Sequence, residues 1–393
     1  MLIEKIGYSY NDVTLVPEII SNISSRSNCN PFIKDKFLPI FTAPMASVVN
    51  FENYETFLDN GITPIIPRNI SLEVRKDLMN DQQWVALSLK EFEDLFINNY
   101  LDRIGDFRTH YFICVDIANG HMKSLYDKCI KAKNLAKDNN YKLTIMTGNI
   151  ANAKTYEWIY KNALYEFEEN GHKYYDCAID YIRVGIGGGS GCITTSNVSI
   201  HYPQASLINE CKKIKESVVC NRDLRKKPAI VADGGIRNYD HVIKALALGA
   251  DYVMIGSLFA QCIESAGDKF DITDNYFHYN NWNDQSLRIN GKDEWYGIYK
   301  LLRNEKFIGE LKVKFFGMAS ADGQKSISGE KTKTAEGITK WLPVKYTLKG
   351  WTENMISYLR SAMSYTDCTT LNEFIGKPSL IINSISEINA VNK

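Results

Sequence analysis

The 393-residue sequence has no excess of either charge: Lys+Arg and Asp+Glu number 46 each, so the formal net charge is zero. A protein that coats nucleic acid carries a basic excess, so that class is excluded. Any phosphate must instead be gripped locally, by backbone amides and a few side chains. The nine cysteines are odd in number and scattered, and none forms a C-x-x-C pair. This argues against a zinc site or a disulfide framework and for a reducing compartment. No run approaches the ~18 apolar residues of a membrane span. The opening MLIEKIGYSYND lacks a basic region followed by an apolar run, so no signal peptide is expected. The expectation is a cytoplasmic protein with neither a membrane nor a nucleic-acid partner. No internal repeat beyond a strand–helix unit and no low-complexity linker is found.

What is present is a recurrence of short apolar runs, each followed by a polar or Gly-rich loop and then a helical pattern. The runs lie at 39–43, 63–67, 84–88, 111–117, 143–148, 181–186, 229–234 and 252–257. Several lack period-2 alternation, as strands buried on both faces do. Residues 121–138 and 152–169 are long enough to cross over between parallel strands, and 241–250 has helical spacing ending on Gly249. Eight strands alternating with helices predict a (β/α)8 barrel in one domain rather than an open doubly wound sheet. Residues 266–315, rich in aromatics, Asn and Asp, read as an insertion on the catalytic face. Residues 319–340 read as a mobile flap, and 351–366 as a final amphipathic helix.

Three segments carry chemistry. VGIGGGSGCITT (184–195) places five glycines around Cys192. Glycines let backbone groups approach a ligand, and a thiol there can act as a nucleophile. VADGGIR (231–237) offers Asp233 to ribose hydroxyls and the amides of Gly234 and Gly235 to phosphate. MIGSLFA (254–260) offers Gly256 and Ser257 as an anion site after the last strand.

Taken with YNDVTLVP (10–17), APM (43–45), DIANGH (116–121), TGN (147–149), YPQ (202–204) and FFGMAS (315–320), these segments resemble the inosine monophosphate dehydrogenase and guanosine monophosphate reductase family. The resemblance runs in order from about residue 7 to about residue 375. It implies a (β/α)8 barrel, commonly a homotetramer, that binds a purine mononucleotide and a nicotinamide dinucleotide. Cys192 would attack purine C2, and Thr194 would assist proton transfer. Ser190, Gly234, Gly235, Gly256 and Ser257 would hold the 5′-phosphate and Asp233 the ribose. Gly317, Met318, Ala319, Lys333 and Gly337 would line the base. Asp116, Asn119 and Arg68 would lie near the nicotinamide. Carbonyls of Gly187, Gly189 and Cys192 would hold a monovalent cation such as K+.

Within that family the chain resembles the reductases. Only PRNISLEVRKDLMNDQQ separates strands two and three, which leaves no room for a cystathionine-synthase-like regulatory pair. The flap has no Arg and no Tyr, which the dehydrogenases use as a pair to activate water. TAEG (334–337) is similar to the reductase motif in which a Glu acts on the departing amino group, and Glu336 is its candidate. The implied reaction is NADPH-dependent conversion of GMP to IMP and ammonia. The alternatives are IMP dehydrogenase with NAD, a variant acting on a deoxy or modified purine nucleotide, a flavin-binding barrel, and a nonenzymatic nucleotide-binding barrel. Lys333, Ala335, Gly188 and Ala46 stand where the family usually has Arg, Ser, Pro and Asp.

Overall fold

The computed structural model describes residues 5–98, 110–169, 172–218, 226–270, 276–277, 311–330 and 334–384. In chain order its strands are β1 Val13–Leu15, β2 Ile40–Thr42, β3 Ile65–Ile66, β4 Trp84–Leu87, β5 His110–Asp116, β6 Lys142–Ile150, β7 Leu164–Glu169, β8 His172–Cys177, β9 Tyr181–Val184, β10 Ala229–Asp233, β11 Tyr252–Ile255, β12 Lys269–Phe270, β13 Tyr276–Phe277, β14 Lys312–Phe316, β15 Thr339–Pro343 and β16 Leu380–Ile382. Eight of them form one parallel sheet in the order β2-β11-β10-β9-β6-β5-β4-β3. Its two ends meet, because Phe41 bridges Thr63 in parallel and the Thr42 N–H donates to the Thr63 carbonyl at 3.0 Å. The sheet therefore closes into a (β/α)8 barrel, and each of the eight expected strands is found to within two residues at either end.

Strand alternation decides what fills the barrel. Phe41, Trp84, Tyr181 and Tyr252 interlock at one level, with ring centroids 5.5 Å apart for Phe41–Trp84, 5.3 Å for Trp84–Tyr181 and 5.4 Å for Tyr181–Tyr252. Edge-to-face pairs of this kind add about 0.5–1.5 kcal/mol each beyond area burial. Ala43, Ala86 and Met254 follow two residues further along their strands in the same interior cluster. Arg183 likewise follows Tyr181, and Asp233 follows Val231. The barrel is thus plugged by apolar side chains towards its N-terminal end and becomes polar at the C-terminal ends of its strands.

The C-terminal helix runs Leu348–Tyr365, starting earlier than the apolar pattern implied because Thr347 caps it, accepting from the Gly350 N–H at 3.1 Å. Trp351, Met355, Leu359 and Met363, four residues apart, are its buried stripe. The Trp351 ring meets Phe259 at 4.9 Å. Each such burial contributes about 1.5–3 kcal/mol.

One expectation changes. The segment 152–169 is not one helix: the helix spans Ala153–Asn162, and β7 then pairs antiparallel with β8. Within LYEFEE the run YEFE alternates aromatic and acidic residues, and the sequence that follows holds Asn-Gly, a dipeptide favourable to hairpins, so a period-2 signal won over length. The segment 266–315, expected as an insertion, contains regular structure at both ends. Its two ends are β12 and β14, which join β13 and β15 in an antiparallel sheet of order β13-β12-β14-β15. The residues between β13 and position 311 lie outside the described ones. The segment expected as a flap carries a helix, Ala321–Ser328, capped by Ser320, whose hydroxyl accepts from the Gly323 N–H at 3.1 Å. No helix among the described residues is long and apolar enough to cross a membrane.

Candidate active site

A cavity of about 630 Å³ opens at the C-terminal ends of the barrel strands. It is bordered by the Gly-rich loop after β9, by the loops after β10 and β11, and by the segments 317–319 and 334–337. All but two of the expected site residues border it. Asn119 does not: its Oδ1 turns back to accept the His121 N–H at 3.0 Å, an Asx turn on an exposed loop. Lys333 lies outside the described residues.

The Gly-rich loop leaves β9 by a route that only glycine allows. Gly185 has φ +132°, and a Cβ there would stand 2.2 Å from the Asp233 carbonyl oxygen and 2.5 Å from Gln204 Oε1. Gly185→Ala is expected to cost more than about 2 kcal/mol, because strain and collision act together. Denaturant titration of the variant checks this. Further on, the loop joins the 334–338 segment. The Ile193 N–H donates to the Glu336 carbonyl at 3.1 Å, and the Ile338 N–H to the Gly191 carbonyl at 2.9 Å. Cys192 and Gly337 face each other across an antiparallel bridge. The Glu336 N–H in turn donates to the Ala319 carbonyl at 3.1 Å. The cysteine, the acidic residue and the Met318 segment are therefore held together by main chain.

Cys192 is the only one of the eight described cysteines that is not buried. Burial pushes the thiols of Cys114 and Cys177 up to about 12, and those of Cys129 and Cys211 higher still. These are core thiols. The Cys192 Sγ–H borders the cavity and donates to Thr194 Oγ1 at 3.1 Å.

Two residues earlier on the same loop, Ser190 Oγ is enclosed with no hydrogen-bond partner among the described residues. An unpaired buried hydroxyl costs about 1–3 kcal/mol, which a ligand oxygen would recover. Gly234, Gly235, Gly256 and Ser257 border the same cavity. Gly187 O accepts from Thr195 Oγ1 at 3.0 Å and Gly189 O from the Cys192 N–H at 3.1 Å, so each carbonyl keeps a second lone pair.

The residues that sequence reasoning missed, Arg183 and Asn149, border the cavity from the C-terminal ends of β9 and β6. Arg183, 8% exposed, reaches Asp116 Oδ1 through Nη1 at 2.7 Å and Asp233 Oδ2 through Nε at 3.0 Å and Nη2 at 2.9 Å. Asn149 Nδ2 donates to the same Asp233 oxygen at 2.7 Å and to the Gly185 carbonyl at 2.8 Å. Burial works against the Arg183 charge, but the carboxylates of Asp233 and Asp116 more than offset it and hold its pKa above the usual Arg value. Asp233 Oδ1 is left without a donor among the described residues. Arg68 donates through Nη1 to the Asp116 carbonyl at 3.3 Å, while its buried Nε has no partner. The available signal was a lone charge in the strand YIRV, two residues after an inward-facing Tyr. Asn149 lay within the TGN segment but was given no role.

Residues 99–389 match a family described as the IMP dehydrogenase / GMP reductase domain. The chain is similar to a GMP reductase of Caenorhabditis elegans, 25% identical over 359 residues, covering 88% of this chain and 80% of the relative. It is also similar to GMP reductases of Shewanella pealeana, 25% identical over 91% of this chain and 86% of the relative, and of Vibrio parahaemolyticus, 24% identical over 99% and 98%. The family match spans well over half the sequence and contains the cysteine loop, the Gly234-Gly235 and Gly256-Ser257 loops and the Glu336 segment: the chain belongs to the IMP dehydrogenase / GMP reductase family.

Proposed function

We propose that the protein is a GMP reductase, converting GMP to IMP and ammonia with NADPH through a covalent bond between Cys192 Sγ and purine C2. The family acts on purine mononucleotides by oxidoreduction with a nicotinamide cofactor, and the relatives compared above are named as GMP reductases. The observation that carries the reading is the position of Cys192. It is the one unburied thiol described, it borders the cavity, and its loop is bonded by main chain to the Glu336 segment.

In this reading Ser190 and the amides of Gly234, Gly235, Gly256 and Ser257 hold the phosphate. Asp233 Oδ1 holds the ribose, and Gly317, Met318, Ala319 and Gly337 bound the base. Cys192 adds to C2 as the thiolate, its proton passing to Thr194. The C2–N2 bond then breaks, and the amine leaves with protons delivered through Thr194 and Glu336. The nicotinamide, when bound, supplies hydride to C2. The C2–S bond breaks last, and its electron pair returns to Cys192 as IMP departs. Arg68, with a buried Nε lacking a partner, and Asp116 beside it suit the polar edge of a nicotinamide ribose or carboxamide. The spare carbonyl lone pairs at Gly187 and Gly189 suit K+. The reading extends to a cytoplasmic homotetramer.

The test incubates the protein with GMP plus NADPH, and separately with IMP plus NAD, following the reduced-nicotinamide absorbance. Oxidation of NADPH with IMP formed is expected. NAD reduction with XMP formed would make it a dehydrogenase instead. Glu336→Gln separates the half-reactions: ammonia release from GMP is expected to fall by about 10²–10⁴-fold, the usual worth of general acid–base catalysis. Hydride transfer from IMP to NADP+ should fall far less. Equal losses in both would remove Glu336 from the amine step.

A further inference from the structure

The back of the 234–237 loop is built by residues that take no part in the chemistry proposed above. His241, on the helix Tyr239–Ala247, is 3% exposed. Its Nε2 lies 2.8 Å from Asn11 Oδ1. Its Nδ1 has two neighbours on the loop, the Arg237 N–H at 3.2 Å and the Gly235 carbonyl oxygen at 3.0 Å. The Tyr10 ring leans on the imidazole with centroids 5.1 Å apart, and it also lies 3.6 Å from where a Cβ on residue 235 would stand. Asn11 is anchored in turn: Asn383 Nδ2 donates to its carbonyl at 3.1 Å, and the Asn383 N–H donates to the Asp12 carbonyl at 2.8 Å. One imidazole thus ties the loop to two segments from opposite ends of the chain.

Nδ1 cannot serve both neighbours in one protonation state. The Asn11 side-chain oxygen Oδ1 selects the Nε2–H tautomer, so Nδ1 keeps its lone pair and accepts the Arg237 N–H. A proton added at Nδ1 would make it a donor to Gly235 O and leave the Arg237 N–H without its acceptor. Burial holds the imidazole below the ordinary His range. Asp240 and the Gly235 carbonyl act to raise it, and Lys244 and Arg237 act to lower it. The Tyr10 phenol, which burial keeps protonated, is the titratable group on the remaining side. The neutral ring is therefore the resting state near neutrality.

We propose that His241, backed by Asn11, is a positioning residue for nucleotide binding: by holding the Arg237 N–H it sets the direction in which the Gly234 and Gly235 amides face the phosphate. This rests on the reading that the Gly234–Gly235 loop holds the 5′-phosphate. The test measures kcat, KM for GMP and Kd for NADPH between pH 5.5 and 8, for wild type, His241→Ala, His241→Asn and Asn11→Asp. His241→Ala is expected to raise the GMP KM about tenfold, the worth of a hydrogen bond or two, with kcat and NADPH affinity within about twofold. His241→Asn places an amide oxygen near the Nδ1 position and should restore most of the loss. Wild-type GMP affinity should hold through the free imidazole's value of about 6.5 and fall only at lower pH, because burial lowers the His241 pKa. Asn11→Asp should move that fall to higher pH, because a carboxylate at Nε2 favours the imidazolium, and His241→Asn should remove it. The phosphate's own titration is common to all four proteins.

An unchanged GMP KM in His241→Ala overturns the proposal. So do equal losses of GMP and NADPH affinity, or an Asn11→Asp profile that superimposes on wild type. If His241→Ala does not fold, His241→Asn and Asn11→Asp still decide the matter through the pH profile. Wild-type protein that binds neither GMP nor IMP overturns the phosphate reading itself, which is a separate result.

Discussion

Cys192→Ala is expected to lower kcat for GMP reduction by at least about 10³-fold while leaving GMP affinity within a few-fold, as removal of an attacking nucleophile does in other enzymes. The physical reason is local. Direct displacement of an amine from a purine ring is slow, and the remaining described thiols are buried, so none of them can substitute. Binding should survive, because the groups proposed to hold phosphate and ribose belong to other residues of the cavity wall. The measurement is steady-state turnover beside equilibrium binding of GMP. Turnover within about tenfold of wild type would end the covalent scheme. Lost turnover together with lost GMP affinity would show that the thiol supports the loop rather than the reaction.

Arg183→Met is expected to destabilise the fold by about 3–5 kcal/mol, the usual result of removing one partner from a buried ion network. The guanidinium donates to Asp116 Oδ1 and to Asp233 Oδ2, and both carboxylates are largely buried at 16% and 14% side-chain exposure. Without it the two carboxylates would repel each other in a poorly solvated place, and their pKa values would rise above those of the unfolded chain. A carboxylate with a raised folded-state pKa favours the fold below its unfolded pKa and loses that contribution as pH rises through the folded value. The deficit of the variant should therefore shrink on acidification towards pH 4 and be largest at neutrality. Denaturant titrations across that range, with Arg183→Met/Asp233→Asn as a partial rescue, check this. A deficit independent of pH would mean that the loss is one of packing rather than of charge.

These two predictions differ in how they could be reached. Cys192 stands out in the primary sequence, since five glycines around a thiol after an apolar run is a local pattern. Arg183 does not, because one charge in YIRV is compatible with a solvent-facing position until the register is known. Asn119 is a different case: DIANGH directs attention to its amide, and the fold shows that its Oδ1 accepts from the His121 N–H on its own loop. The hairpin β7–β8 was hidden by the expectation of a long crossover helix, although its alternation was present in LYEFEE.

The sequence by itself determined the number and order of the barrel strands, the cysteine loop and the Gly234-Gly235 and Gly256-Ser257 loops. Each rests on the properties of near neighbours: apolar runs that suit burial on both faces, and glycines where backbone must turn. Tertiary structure alone decided that Phe41 meets Thr63 to close the barrel, that Cys192 faces Gly337 beside Glu336, and that Arg183 lies between Asp116 and Asp233. Such meetings depend on the register and tilt of strands distant along the chain. No local propensity encodes them, because the free energy that selects them belongs to the closed barrel as a whole.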